Sequence, residues 1–246
     1  MDANANLFGA STLVPAEPPA LDDRSLVAAA FLNVLRQDIT YSLIHDCPLR
    51  VNIDATTLRI EHPRQDRLAN AVTLLLAREI SWHFQPTSGS VAEREITRGS
   101  LDQDLKAWRS SFKAKPFCDQ VDQRTWFPRI QMLEDTQASA LQYYHVARCI
   151  ISEDETVRMT SAHQIVGLAM FSTSDPVMVH AYGAICFSGR WISDQNKGMQ
   201  RKYLVDWLQS SQKRTGWSVE AMISRLGTTW ASCLHDSLEA GTTSLT

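Results

Sequence analysis

Along almost the whole of this chain, apolar residues recur at steps of three and four, a spacing that favours helices over strands. Val27, Phe31, Val34, Leu35, Ser42 and Leu43 share one helical face. Asp23 or Ser25 can cap its start by accepting from free backbone N–H groups, and Cys47-Pro48 ends it. Leu68, Ala71, Val72, Leu75, Leu76 and Trp82 form a second stripe, broken by Pro86 to Ser90. Leu101, Leu105, Trp108 and Phe112 predict a third helix, after which Pro116 and Pro128 bracket a loop. A fourth helix is expected from about Thr136 to Ile151 and a fifth from about Glu155 to Phe171. Asp175-Pro176 starts a sixth, with Asp175 as the cap and Pro176 where a missing N–H costs nothing. The seventh, from about Asn196 to Arg214, should turn Tyr203, Leu204, Trp207 and Leu208 inward. Gly216 stands where a left-handed cap is needed. In the eighth, Val219, Met222, Ile223 and Leu226 form the stripe, with Trp217 stapled onto Met222.

Period-2 alternation is confined to pieces as short as Leu58-Arg59-Ile60, and no repeat of fixed length is present. The expected fold is therefore all-α: a multi-helix, bundle-like domain of antiparallel helix pairs joined by mostly short loops. The Ala- and Pro-rich residues 1–22 read as a flexible lead-in, residues 23–230 as the helical domain and 231–246 as a flexible tail.

Charge and cysteine usage narrow the function classes. The net charge is −3, without a long Lys/Arg run, and the best basic cluster, Arg201-Lys202 with Lys213-Arg214, reads as a solvated helix face. Direct DNA binding is not expected from such a balance. The five cysteines are widely spaced, with no C-x2-C pair, which argues against both a disulfide framework and a zinc hairpin and for a reducing compartment. The first residues lack a secretory pattern, and no apolar run approaches the ~20 residues of a membrane helix.

Catalytic motifs are missing. There is no G-x-S-x-G elbow, phosphate loop, dinucleotide fingerprint or H-E-x-x-H. His145 and Cys149 lie four apart on a predicted helix and could face one ion, but a core-edge histidine beside a small buried thiol is the preferred reading. Cys186 with His180 or His163 could make a nucleophile pair, but its apolar neighbours favour an inert thiol. Glu153-Asp154-Glu155 is better placed as negative charge at a helix start than as an acid–base cluster. No catalytic residue, metal ligand or cofactor is therefore assigned. Trp191, Trp207, Trp217 and Trp230 read first as bulky core residues. A ligand pocket between helices is the alternative, with Tyr143, Tyr144, His145, Trp191 and Trp207 as its candidate lining.

One ordered series of motifs carries a resemblance. Leu35-Arg36-Gln37-Asp38-Ile39, Trp82, Trp108 and Trp126-Phe127-Pro128 are followed by Ala140-Leu141-Gln142-Tyr143-Tyr144-His145-Val146-Ala147-Arg148. Asp175-Pro176, Gly189-Arg190-Trp191, Thr215-Gly216-Trp217 and Trp230 complete it. In order and spacing the series resembles the C-terminal regulatory region of fungal binuclear zinc-cluster transcription factors, over most of residues 25–230. The family's DNA-reading module, a six-cysteine cluster, is absent from the sequence. The resemblance implies a nuclear (alternatively cytoplasmic) regulatory and dimerisation domain with a protein partner, as a homodimer or a mixed dimer with a complete factor. It also implies a small-molecule effector as a further partner. The chain is then either a stand-alone relative or a gene reading that lacks its first exon. The rival expectation is a small-molecule-binding or enzyme-like helical protein built around an interhelical pocket.

Overall fold

The computed structural model describes residues 18–20, 23–53, 65–84, 90–114, 116, 118–121, 126–192 and 198–242; of 65–66, 118–121 and 233–242 only the backbone is described. The fold is all-α, as the spacing predicts. Most of the expected lead-in and of the segments before and after the second helix lie outside the described residues.

Helix α1 spans Leu26–His45. Ser25 caps it by accepting from the Ala28 N–H at 3.1 Å, and Asp23 in turn accepts from the Ser25 N–H at 2.8 Å. The helix stops where Asp46 turns left-handed, at φ 54°. Phe31, Leu35, Ile39 and Leu43 form its buried stripe. Helix α2 spans Gln65–Phe84 and helix α3 Val91–Ser111. The start of α3 lies well upstream of the Leu101 stripe, because Ser90 and Glu93 form a reciprocal capping box. Val91 and Ile96 in that first half are exposed, so apolar spacing carries no trace of it.

The loop expected between Pro116 and Pro128 contains instead a small antiparallel ribbon. Strand β1 (Cys118–Val121) pairs with β2 (Pro128–Gln131), with Asp119 opposite Ile130. Helices α4 (Asp135–Ile151), α5 (Glu155–Met170) and α6 (Asp175–Ser188) follow, joined by loops at 152–154 and 171–174 too short for anything but a reversal. A 3-10 turn (Gly189–Trp191), α7 (Met199–Thr215) and α8 (Glu220–Thr242) complete the series. The last helix runs past the boundary expected at 230.

The core is built around α4, which packs on α2, α3, α5 and α6. Its sequence buries residues on every side, including Leu141, Tyr143, Val146, Cys149 and Ile150, as a central helix must. Helix α1 lies against α6. Polar side chains tie the helices where apolar contact alone would leave register loose. The Trp108 indole of α3 donates to the Leu68 carbonyl of α2 at 2.8 Å, Gln142 of α4 to the Val177 carbonyl of α6 at 3.2 Å, and the Tyr182 hydroxyl of α6 to Ser211 of α7 at 2.9 Å.

Three local expectations need correction. Asp175 is not the cap of α6; Ser174 holds that position, and Asp175 in the first turn pairs with Arg214 of α7 at 2.6 Å. Tyr203 does not turn inward but is 43% exposed, whereas Leu204 and Leu208 are buried. Trp217, expected to staple onto Met222, is 61% exposed while Met222 is buried, so most of the indole faces solvent. Gly216 does adopt the left-handed cap, at φ 75°, its N–H donating to the Gln212 carbonyl at 2.8 Å.

Candidate functional site

Consecutive residues on a helix project about 100° apart, so Tyr143, Tyr144 and His145 meet different neighbours. Tyr143, buried on α4, faces the His180 ring of α6 at 5.0 Å between centroids. Its hydroxyl has no hydrogen-bond partner, nor has His180 Nδ1. Burial pushes the phenol up, and the Arg36 charge from α1 works against that. Burial, helped by Arg36, pushes His180 down to about 4. Arg36 itself is half-buried, lowered by burial, and donates to Asn70 of α2 at 2.8 Å.

Tyr144 turns towards α3, stacking on Trp108 at 5.4 Å, with the Arg109 and Arg148 guanidiniums each 5.9 Å from its ring centre. His145 stands edge-on to Tyr144 at 5.1 Å. Its Nδ1 is buried without a partner, and burial, then Arg148 and Arg109, push it down to about 3. Trp191 follows α6, eleven residues after His180 or roughly 16 Å along the axis, and meets Phe187 at 5.7 Å. Trp207 sits half-buried on α7. Tyr144 and His145 thus share one neighbourhood, while Tyr143 and Trp191 each have another.

The enzyme-like pairs are taken up in packing. Cys149 donates its S–H to the Arg158 carbonyl at 3.5 Å, and burial pushes its thiol up to about 12. An imidazole held near 3 does not deprotonate a thiol held near 12. Cys186 lies 4.0 Å from the Ile44 carbonyl oxygen and is pushed up to about 11 by burial. Neither histidine serves it: His180 faces Tyr143, and His163 lies against the Phe127 ring at 5.4 Å. Asp154 caps α5 by accepting from the Thr156 N–H at 2.8 Å, as expected of an acidic helix start. Among the described residues no group of three His, Cys, Asp or Glu side chains could hold a metal ion.

A different cluster was not foreseen from the sequence. Where the end of α2 and the start of α3 meet α5 and the turn after α6, guanidiniums cover aromatic faces. Arg94 lies 4.4 Å over Trp82, Arg158 and Arg190 each lie 5.5 Å over Trp191, and Arg190 lies 4.5 Å over Phe187. His83 touches the same Phe187 at 6.0 Å and reports the local field. Burial lowers it first; Asp46 opposes, and the charges of Arg190, Arg94 and Arg158 lower it further. Asp46 lies 3.7 Å from Arg190 and 2.9 Å from Arg225. No carboxylate among the described residues pairs with Arg94 or Arg158. The buried Nε of Arg158 and Nε1 of Trp82 are donors without acceptors. Such a set can hold negative oxygen; it offers no nucleophile. The only faint sequence signal was Gly189-Arg190-Trp191, because the remaining members are far apart in the chain.

No protein-family model, curated protein or solved structure matches this chain.

Proposed function

We propose that this chain is a non-catalytic regulatory protein of the kind that the motif series resembles: an effector and dimerisation domain like that of fungal zinc-cluster transcription factors, acting on a metabolic gene set in the nucleus. The observation that carries the non-catalytic half is that Cys149 gives its S–H to the Arg158 carbonyl at 3.5 Å while His145 stands against Tyr144, with burial lowering the imidazole and raising the thiol. Burial keeps both neutral across the physiological range, which suits packing and defeats acid–base or nucleophilic work. A protein partner is favoured by the outer face of α7, where Met199 and Tyr203 are 57% and 43% exposed one helical turn apart. That partner is a second copy or a complete zinc-cluster factor. A mixed dimer would hold one DNA-reading module instead of two.

The test uses purified chain in a mobility-shift titration, alone and with a complete zinc-cluster factor. The expected result is no retardation of duplex DNA by the chain alone at physiological salt, and weakened binding by the factor when the chain is added. Tight, sequence-dependent binding by the chain alone, or no effect on any factor tried, overturns the proposal.

The rival reading, a small-molecule-binding helical protein, draws on one observation: the unpartnered Tyr143 hydroxyl beside His180 and Arg36.

A further inference from the structure

We infer that the arginine–tryptophan cluster at the junction of α2, α3, α5 and the turn after α6 is a binding site for a small organic oxyanion, a carboxylate or a phosphate monoester. The inference goes beyond the regulatory reading, since it holds whether or not the chain acts on transcription.

Three observations converge. First, the positive charge there is in excess. Arg94, Arg158 and Arg190 all bear on His83, and Arg158, Arg148 and Arg190 all bear on Cys149. The carboxylate within reach, Asp46, is shared between Arg190 and Arg225. Partly buried charges are ordinarily paired, so Arg94 and Arg158 lack the usual counter-ion.

Second, two side chains of the cluster carry unmet donors. The Arg158 Nε–H and the Trp82 Nε1–H are buried donors with no acceptor. A buried donor left unsatisfied costs about 1–3 kcal/mol, and an oxyanion offers the acceptors that would relieve it. A cation or a neutral apolar ligand would not.

Third, each guanidinium already rests on an aromatic face. Arg94 lies 4.4 Å over Trp82, Arg158 5.5 Å over Trp191 and Arg190 4.5 Å over Phe187, contacts that limit the side-chain freedom to be lost when a ligand arrives. Trp82, Arg94, Arg158, Arg190 and Trp191 are half-buried as residues, so the rim of the cluster meets solvent while the Arg158 Nε and Trp82 Nε1 donors lie beneath it.

Arg190 has a structural duty, since it donates from Nε to the Phe187 carbonyl at 2.9 Å. Arg158 and Arg94 have no such bond through their guanidiniums, and these are the two assigned to the ligand.

The test is isothermal titration of the full chain with citrate and, separately, inorganic phosphate, at fixed ionic strength with chloride as the control anion. Wild-type protein should bind at least one probe with millimolar or tighter affinity. Arg158→Gln and Arg94→Gln should each weaken that binding about tenfold or more, the loss of a charge-assisted bond. Arg129→Gln, from a guanidinium that lies over Phe171 on the β2 strand, should leave binding unchanged. Binding of citrate alone assigns the site to carboxylates, and of phosphate alone to phosphoryl groups; either supports the inference. Circular dichroism of each variant confirms the fold, and Arg94→Gln, at the exposed start of α3, keeps the test open if Arg158→Gln does not fold. Absence of binding to both probes, equal heats with chloride, or unchanged affinity in a folded Arg158 or Arg94 variant overturns it.

Discussion

Gly167 of α5 and Pro128 of β2 approach closer than a side chain permits: a Cβ on Gly167 would stand 2.1 Å from the Pro128 carbonyl oxygen. The obstacle is backbone, which cannot swing aside as a long side chain would. Gly167→Ala must therefore lift the ribbon from the helix or shift α5 in the core. Overpacking of this kind costs about 1–3 kcal/mol, occasionally more. At roughly 2–4 °C per kcal/mol for a chain of this size, thermal unfolding followed by circular dichroism should show a drop of several degrees. An unchanged midpoint would mean that the ribbon is not docked on α5.

The same contact marks where the sequence stops being informative. Helices were readable because their signals are local: an apolar step of three or four, Ser25 before α1, Gly216 after α7. The ribbon was not, since four-residue strands carry too few alternations and their pairing partners lie elsewhere. The polar, exposed first half of α3 escaped for the converse reason, its only signal being the Ser90–Glu93 cap. Sites suffered most. Tyr143, Tyr144 and His145 are adjacent in sequence, yet the helix sends Tyr143 to His180 and Tyr144 to Trp108. Arg94 meets Trp82 and Arg158 meets Trp191 across four elements, and no spacing in the chain announces either contact.

Glu79 of α2 is fully buried, and neither carboxyl oxygen has a hydrogen-bond partner. Burial holds its proton well above the ordinary value of 4.5, with the Arg78 charge opposing and the Asp102 and Asp104 charges adding to the rise. In the unfolded chain the group ionises near that ordinary value. Between the two, folding takes up a proton, so this contribution to stability is fullest below 4.5 and falls as the pH rises. Glu79→Met keeps a side chain of similar length and removes the proton uptake. Its melting temperature should exceed that of the wild type by a few degrees near pH 8, and the difference should shrink towards pH 5. A variant that melts lower at pH 8 would mean that the carboxyl has a partner that stabilises it ionised.

Thiol reactivity separates the packing role of the cysteines from a chemical one. Alkylation proceeds through the thiolate, and at pH 8 a thiol held near 12 is ionised in about one molecule in ten thousand. Cys149 and Cys186, near 12 and near 11, are also shielded by the core. Cys47 is half-buried at the end of α1 and also raised by burial, with the Arg50 and Arg225 charges working against that shift. Brief treatment of native protein with iodoacetamide, read by peptide mass spectrometry, should therefore label Cys47 well ahead of Cys149 and Cys186, and denaturant should erase the difference. Labelling of Cys149 at the rate of Cys47 in the native state would remove the basis for treating it as inert. It would also reopen the His145–Cys149 pair as a reactive centre.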